Sequence, residues 1–427
     1  MTLIYWFRQD ARLADNRALA HATARARPLL PIVIRHAPAT TAWGFERKGP
    51  HRVLFENQAQ NGLAHALENL SSALYCPAEP GVDGLIALCH ELGVDEIICE
   101  AINAPEELAQ IHQIEQSRIK VTTIEQSAML DSADLPFSIE DTPIVFTEYR
   151  KQIEKSGVTP RTPTGSPAQL PPLPDDTGSA QKWLPNDSHA QRCEHSAFPY
   201  WQPAWHGHEH AAQAHIKRYF SSDLPRTYKT TRNGLLGTDY STKFSPWLAV
   251  GAMSGRQVFA TLLDHEAKHG ANDSTYWIWF ELLWRDHFRL MMRRFGKRLF
   301  REIGLRQGSG PPTTDPNALD HWRQGRTGHG LIDAGMRELK TTGYLSNRMR
   351  QIVASYLIHD LQGDWLAGAA WFEHCLIDFD VHSNQGNWAY IAGVGTDPRG
   401  GRRFNTDKQA RDYDADGAYR AVWGQMI

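Results

Sequence analysis

Two carboxylates lie close together in an apolar stretch near the end of the chain, in the sequence LIDFDVHSNQGNWAY at 376–390. Burying an unpaired carboxylate is costly, so Asp378 and Asp380 each need a polar or cationic partner. That partner could be a metal ion, an arginine from elsewhere in the chain or a bound cofactor. A metal is poorly supported, because the neighbouring side chains are mainly aliphatic and aromatic rather than oxygen donors.

A basic helix and a hydroxyl-rich turn could supply partners for these acids or for a bound anion. In GYLSNRMRQIVASYLIHDL at 343–361, helical spacing places Asn347 and Arg350 on one face, and Arg350 is the predicted partner of the aspartates. In STKFSPWLAVGAMSGR at 241–256, hydroxyl side chains adjoin a turn that contains proline. Such a turn can present hydroxyl and N–H groups to a phosphate, although helix capping would explain the residues equally well.

An aromatic helix predicted at 273–296 carries Glu281 and Arg285 within its apolar stripe. The spacing of four residues puts Trp277 and Glu281 on one face, and Trp284 falls on the same face. One interpretation is a core helix whose charged groups pair with each other or reach solvent. The other is a pocket in which Trp284 stacks on a flat ligand, Glu281 forms a hydrogen bond and Arg285 binds a phosphate.

The residues that most often bind metals do not form a convincing site. His206, His208 and His210 alternate beside a proline-rich segment, with no second ligand cluster nearby, so we interpret them as a solvated entry to a helix. The five cysteines show no CxxC pair and no zinc spacing. The sequence therefore predicts no metal site and a reduced, cytoplasmic compartment.

The elements that must position these residues fall into two classes. The first third of the chain alternates apolar runs that suit buried strands with helical patterns, which predicts a parallel sheet with crossover helices. The predicted strands are 3–7, 29–34, 94–100 and 121–125, and the predicted helices are 49–74 and one that begins near Pro105. A proline-rich connection follows from about 158 to 203, and helical periodicity then dominates.

Length and charge narrow the function classes. The 427 residues are enough for two or three domains with sizeable cores. The formal net charge of -3 indicates no global basic field for a nucleic-acid partner, although a local patch would escape this measure. No apolar run approaches the length of a membrane span, and no GxGxxG or P-loop motif is present, so a classical dinucleotide or P-loop site is not expected.

Several long motifs in register resemble the photolyase/cryptochrome family, and within it the DASH cryptochromes. The motifs are YWFRQDARLADNRAL (5–19), GFERKGPHRVLF (44–55), VFTEYRKQIE (145–154), FELLWRDHFR (280–289), GRTGHGLIDAGMRELKTTGYLSNRMRQ (325–351) and LIDFDVHSNQGNWAYIAGVGTDPR (376–399). The resemblance implies an α/β domain with a doubly wound parallel sheet, followed by a larger all-α domain that binds FAD. The implied boundaries are 1–130 for the first domain, 131–208 for the connection and 209–427 for the helical domain.

The resemblance also implies which residues hold FAD and how each acts. Asp378 and Asp380 match the acids that face the flavin and ribose, Arg350 matches the arginine that pairs with Asp378, and Asn384 matches the residue beside flavin N5. The remaining implied contacts are Tyr228, Ser241, Thr242, Lys243, Phe244 and Ser245 near the phosphates, Arg285 at the pyrophosphate and Asn347 in the pocket wall. A reduced flavin requires fixed dipoles and balancing charge around its ring, which these residues would supply.

Substrate residues carry over in the same way. Glu281 and Trp284 match side chains that hydrogen-bond to and stack on a flipped cyclobutane pyrimidine dimer, and Gln351 and Tyr390 agree with the DASH pattern. The implied DNA contacts also include Arg232, Arg348, Arg402 and Gln409. The implied reaction is light-driven electron transfer from reduced FAD to the dimer, chiefly in single-stranded DNA, where unstacking a base costs least.

The sequence departs from the family pattern at two places. Trp388 and Trp365 match the proximal and middle members of a tryptophan relay to the flavin, but the distal position falls in GSGPPTTDP at 308–316, which contains no aromatic residue. Ile102 lies near the place where an acidic residue would hold a folate antenna such as methenyltetrahydrofolate. The sequence therefore leaves the route of photoreduction and the antenna chromophore open.

Three functional hypotheses follow. The first is a DASH-type photolyase, expected to be a monomer that binds DNA and no membrane. The second is a blue-light receptor that binds FAD and nucleic acid with little or no repair. The third, an iron–sulfur relative, requires four cysteines in the helical part, where Cys375 is the one cysteine past residue 200.

Overall fold

A computed structural model describes residues 2–184, 190–307 and 317–424 of the chain. Its N-terminal part is built on a six-stranded sheet with the order β5-β4-β1-β2-β3-β6, parallel except for the edge strand β6. The strands are β1 Leu3–Trp6, β2 Leu29–Ile32, β3 Tyr75–Cys76, β4 Glu96–Glu100, β5 Lys120–Ile124 and β6 Gln181–Lys182.

The strand order shows a doubly wound sheet. From β1 the chain continues to β2 and β3 on one side, and it then crosses to β4 and β5 on the other. The helices that accompany these strands are α1 Arg17–Thr23, α2 Pro50–Glu68, α3 Gly81–Leu92 and α4 Pro105–Gln116. Helices on both faces explain why β1, β2 and β4 are fully buried runs without polar alternation. The predicted α/β fold class is confirmed.

The connection between the two halves contributes to both of them. Helix α5, Phe146–Ser156, buries Phe146, Tyr149 and Ile153 and packs against the long aromatic helix of the C-terminal part. Farther along, the proline-rich segment supplies β6, which adds to the edge of the sheet next to β3. The two-residue strands β3 and β6 are additions to the strands predicted from the sequence.

The C-terminal part is all-helical, as predicted, and its helices meet around two aromatic cores. They are α6 Glu209–Phe220, α7 Leu224–Thr231, α8 Ser245–Val250, α9 Gly255–His269, α10 Asp273–Phe295, α11 Ala318–Arg323, α12 Gly330–Thr342, α13 Asn347–Ser355, α14 Trp365–Cys375, α15 Val381–Ala392, α16 Thr406–Tyr413 and α17 Ala418–Gly424. A π-helical turn, Tyr356–Asp360, follows α13. No helix within the described ranges is long and apolar enough to cross a membrane.

Local signals fix both ends of α10 and the start of α15, two of the helices that carry site residues. In α10, Asn272 and Thr275 form a capping box, and the helix stops at Gly296, where φ is +49°. In α15, the carboxylate of Asp380 caps the helix by accepting a hydrogen bond of 2.8 Å from the Ser383 N–H.

The two halves fit together backbone against backbone at Gly251, which ends α8. Gly251 has φ +72°, and a Cβ atom there would lie 1.8 Å from the carbonyl oxygen of Gln9. The Ala11 N–H donates to the Val250 carbonyl at 3.2 Å, and the Arg12 guanidinium donates to the Gly251 carbonyl at 2.9 Å. The loop after β1 thus lies directly against the turn that ends α8.

Candidate functional site

A cavity of about 560 Å³ lies in the helical part between α7, α8, α10, α13 and α15. Its volume is within the usual range for cofactor and small-molecule sites, roughly 300–1,000 Å³. An adjoining pocket of about 80 Å³ continues toward α14 and α15. The predicted site residues that line the cavity are Tyr228, Arg232, Ser241, Thr242, Lys243, Phe244, Ser245, Glu281, Trp284, Arg285, Asn347, Arg348, Arg350, Gln351, Asp378, Asp380, Tyr390 and Arg402.

Asp378 has an arginine and a hydroxyl as partners. Its Oδ2 accepts hydrogen bonds from Arg350 Nη2 at 2.8 Å and from Ser245 Oγ at 2.7 Å. Its side chain is 1 % exposed, and Oδ1 has no hydrogen-bond partner within the described chain. The predicted Arg350 pairing is therefore present for this acid, with one buried acceptor left for a ligand.

Asp380 pairs with a residue that the sequence did not single out. Arg289 on α10 forms an ion pair with it, and both side chains are less than 9 % exposed. Although burial alone would raise it, the charge of Arg289 holds the pKa of Asp380 well below its usual value. Arg350 is thus not the partner of both aspartates. The available signal was that Arg289 follows Glu281 and Arg285 at intervals of four residues on one helix.

Lys243 places a buried amine in the cavity wall. It is buried, its φ of +57° lies in the left-handed region, and its Nζ has no hydrogen-bond acceptor among the described residues. The Nζ atom lies 3.4 Å from the centroid of the Tyr240 ring and 4.9 Å from that of Tyr344. Burial lowers the pKa of Lys243 well below its usual value, although the charge of Glu338 opposes that shift, and an anion in the cavity would supply the acceptor that Nζ lacks.

Arg285 lines the cavity, but carbonyl groups already occupy its guanidinium. It donates to the carbonyls of Ser127 and of Leu248, the latter at 3.1 Å. Burial and the charge of neighbouring Arg289 lower its pKa to about 10. The side chain therefore ties the N-terminal part to α8, and a phosphate would share it with those carbonyls.

Glu281 is also engaged within the protein. Its Oε1 accepts a hydrogen bond from Trp277 Nε1 at 3.2 Å and forms an ion pair with Arg232. Burial raises the pKa of Glu281, and the positive charge of Arg232 opposes that rise. The carboxylate lines the cavity with 31 % of its side chain exposed, which leaves it accessible to a ligand.

Two aromatic rings form a right-angled corner beside Glu281. The rings of Trp284 and Tyr390 lie 5.7 Å apart at 81°. Phe146 of α5 stacks on Trp284 at 3.7 Å and 10°, so one face of the indole is covered by protein. The corner can receive a planar apolar ligand against the other face of the indole or against the phenol ring.

Polar residues around this corner have protein partners of their own. Arg348 donates to Asn233 Oδ1 at 3.0 Å and to Gln351 Oε1 at 3.3 Å. Arg402 bonds the Tyr390 hydroxyl and lies 2.9 Å from Asp397 Oδ2. Asn347, at the start of α13, is exposed.

The remaining predicted residues lie outside the main cavity. Asn384 and Trp388 line the adjoining pocket, and Asn384 Nδ2 donates to the Ala369 carbonyl at 3.0 Å. Trp365 begins α14 and donates through Nε1 to the Glu302 carbonyl at 3.0 Å. Gln409 is on α16 and is absent from the cavity wall in the described chain. The position expected for a distal tryptophan, 308–316, lies outside the described residues.

Two described places between the two halves have little room for an antenna chromophore. A cavity of about 40 Å³ lies there, lined in part by Gln126, Tyr149 and Arg289. That volume suits a water molecule or two and not a folate. Ile102, near the expected antenna position, packs with Met292 and Leu299 in an apolar cluster. The described residues at these two places do not fit a folate.

Comparisons with known proteins agree with this geometry. Residues 3–170 match the model of the DNA photolyase family, and residues 277–425 match that of the FAD binding domain of DNA photolyase. The chain is 40% identical to the cryptochrome DASH of Gloeobacter violaceus over 99% of this chain and 85% of the relative. It is 39% identical to the cryptochrome DASH of Danio rerio over 99% of this chain and 82% of the relative.

Solved structures give the same result. The crystal structure of a Synechocystis cryptochrome superposes with a TM-score of 0.90 at 37% sequence identity, covering 99% of this chain and 88% of that chain. A bacterial class III photolyase from Agrobacterium tumefaciens shares the fold, with a TM-score of 0.78 at 24% identity over 99% of this chain and 86% of that chain. The chain belongs to the photolyase/cryptochrome family, among relatives named cryptochrome DASH, and its helical half contains a photolyase-type FAD-binding domain.

Proposed function

We propose that this chain is a light-driven photolyase that splits cyclobutane pyrimidine dimers, preferentially in single-stranded DNA. The observation that carries the proposal is the corner formed by Trp284 and Tyr390, with the carboxylate of Glu281 in the same cavity. The two bases of a cyclobutane dimer are not coplanar, so two ring planes at 81° match them better than one flat stacking surface would.

The cavity wall supplies what a flavin dinucleotide requires. Lys243 Nζ and Asp378 Oδ1 are buried polar atoms without hydrogen-bond partners in the described chain, and they suit a phosphate and a hydrogen-bond donor, respectively. Asn384, in the adjoining pocket, offers an amide dipole that the Ala369 carbonyl orients. When bound and reduced, FAD supplies the light-excited electron donor that opens the cyclobutane ring.

The protein groups bind and orient the lesion. Glu281 can accept a hydrogen bond from a base N–H, and Trp284 and Tyr390 exclude water from the faces of the two rings. Arg348 and Arg402 lie in the same wall and can contact the phosphates on either side. The net reaction is neither an oxidation nor a reduction, so these residues need only hold the dimer in place.

Single-stranded DNA is the favoured substrate because the lesion must leave its stack to reach an enclosed cavity. Unstacking costs least where no partner strand holds the base. Aromatic rings beside a few arginines are also the usual arrangement for binding single strands. This preference is part of the proposal and is tested below.

A blue-light receptor is the alternative. The Synechocystis protein with the same fold is called a cryptochrome, and a receptor would need FAD without repair. Glu281, Trp284 and Gln351 favour repair, because a protein that only senses light has no need for groups placed to bind a dimer.

The decisive experiment uses purified, FAD-loaded and chemically reduced protein with thymine-dimer oligonucleotides under blue light. Loss of the dimer from single strands, with little loss from duplex, is the expected result. Flavin binding without loss of dimer from either substrate would support the receptor, and a protein that takes up no flavin would refute both functions.

Glu281→Ala should reduce repair while FAD stays bound, because the carboxylate contacts the lesion and not the cofactor. The assay follows dimer loss per photon together with flavin absorbance after gel filtration. Glu115→Ala, on exposed α4, is the matched control. Full repair activity in Glu281→Ala would contradict the role given to this residue.

A further inference from the structure

The Arg232–Glu281 ion pair joins two residues to which the proposed function gives different tasks. Arg232 follows α7 and is expected to contact a DNA phosphate, whereas Glu281 on α10 is expected to contact a base. Both side chains line the cavity, with 21 % and 31 % of their surfaces exposed. In the protein without DNA, the charge of each is neutralised by the other.

Neighbouring contacts hold this pair in place. Trp277 Nε1 donates to the same Glu281 oxygen that Arg232 contacts, at 3.2 Å. The Arg232 guanidinium carbon also lies 5.2 Å from the centroid of the Trp277 ring, and Lys229 Nζ lies 5.1 Å from it. Arg232 can therefore leave Glu281 and remain beside the Trp277 ring, where cation–π attraction still favours it.

The other two arginines of the cavity wall that are expected to contact DNA have different partners. Arg348 bonds the neutral amides of Asn233 and Gln351. Arg402 donates a hydrogen bond to the Tyr390 hydroxyl and forms an ion pair with Asp397, an acid that is absent from the cavity wall among the described residues. Of the three, Arg232 is the one whose partner is the predicted base-contacting residue.

We propose that the Arg232–Glu281 pair makes binding of a strand conditional on a flipped base. A strand that offers a phosphate alone competes with Glu281 for Arg232 and would leave the carboxylate half-buried without its counter-ion. A strand that also places a base N–H against Glu281 supplies both residues with new partners. The pair therefore suppresses binding of undamaged DNA, and Glu281 contributes to specificity by restraining an arginine as well as by contacting the lesion.

This inference rests on the proposed function and predicts an unusual gain. Glu281→Gln keeps the shape of the side chain and an oxygen for the Trp277 N–H, but it removes the charge that retains Arg232. The FAD-loaded variant should bind undamaged single-stranded oligothymidylate more tightly than the wild type. Its plot of log affinity against log salt should be steeper by about 0.7, the value for one additional phosphate contact on a single strand.

Two further variants complete the test. Arg232→Gln combined with Glu281→Gln should abolish the gain, because the released cation is missing. Arg348→Gln, the matched control, should make the salt slope shallower by about 0.7 in the wild-type and the Glu281→Gln backgrounds alike. Retained flavin absorbance and an unchanged circular dichroism spectrum identify the variants that are folded.

The outcomes separate this inference from the proposed function. Suppression of undamaged DNA binding by the ion pair is supported if Glu281→Gln binds undamaged strands more tightly and this gain requires Arg232. Unchanged or weaker binding by a folded Glu281→Gln variant, or a gain that persists when Arg232 is also replaced, refutes the inference about the ion pair. Repair activity of the wild type would in that case still support the proposed function. If the FAD-loaded wild type neither binds nor repairs dimer-containing strands, the proposed function is refuted, and so is the role of the ion pair that rests on it.

Discussion

Replacing Arg289 by methionine should destabilise the protein more than any change to a surface ion pair. Arg289 and Asp380 are 8 % and 7 % exposed, so the substitution leaves a buried carboxylate without its counter-ion. Removing one partner of such a pair costs about 3–5 kcal/mol. We expect about 3 kcal/mol, because Asp380 keeps the Ser383 N–H at 2.8 Å and His382 Nδ1 at 3.7 Å.

The double variant Arg289→Met with Asp380→Asn is the control for this reasoning. Asparagine can still cap α15 and carries no charge, so we expect it to regain most of the lost free energy of unfolding. Both variants are compared with the wild type by urea unfolding, followed through tryptophan fluorescence at neutral and mildly acidic pH.

The sign of the pH effect adds a second check. Arg289 depresses the pKa of Asp380 in the folded wild type, so its contribution is complete at neutral pH and is lost as the pH falls through that depressed value. In Arg289→Met the buried carboxylate takes up a proton more readily, so the penalty should shrink in mild acid. A penalty below about 1 kcal/mol at neutral pH, the range of exposed pairs, would refute the assignment.

Three further predictions concern acid stability, packing and the cofactor. Burial lowers the pKa of His287 to about 4, so between about pH 6.5 and about pH 4 the unfolded chain binds a proton that the folded protein does not. The free energy of unfolding therefore decreases with falling pH over this range, and in His287→Gln that decrease should be smaller by about 1.4 kcal/mol per pH unit in urea titrations. Equal slopes would contradict this. Gly368→Ala places a Cβ atom 2.4 Å from the Trp388 ring and should lower the free energy of unfolding by about 1–3 kcal/mol, measured by thermal unfolding. Gly330→Ala, whose Cβ atom would have its nearest neighbour at 3.6 Å, should lower it less. Equal losses of stability would contradict the close packing of Gly368 against Trp388. Asp378→Asn should release FAD more readily on gel filtration, since it removes a negative charge from the cavity wall. Retention of FAD equal to that of the wild type would contradict the role of this charge in binding the cofactor.

Local patterns predicted the fold because most of its elements have local causes. The runs LIYWF and LLPIVI are apolar along their whole length, and the strands begin at Leu3 and Leu29 as expected. The predicted helix at 273–296 forms at Asp273–Phe295, since its cap and its terminal glycine lie beside it in sequence. By contrast, β3 and β6 have two residues each and depend on distant partners: β3 pairs with β2, and β6 pairs with β3 across more than a hundred residues.

The site divides in the same way. Most of the residues predicted from the family resemblance line one cavity. The residues alone suggested Arg350 as the partner of both aspartates, and it pairs with Asp378. The pairing of Arg289 with Asp380 joins positions 91 residues apart. Nor does any spacing reveal that Phe146 covers Trp284, because α5 reaches α10 by tertiary packing. Such contacts depend on how helices meet and not on the sequence within one helix.

The close approach at Gly251 has a consequence for engineering. A side chain at Gly251 would collide with the Gln9 carbonyl. The helical half therefore cannot simply be fused to the N-terminal domain of another protein. A chimaera would have to reproduce the main-chain path after the first strand almost atom for atom. Otherwise the turn that ends α8 would lose its contact with the N-terminal half, and α8 forms part of one wall of the cofactor cavity.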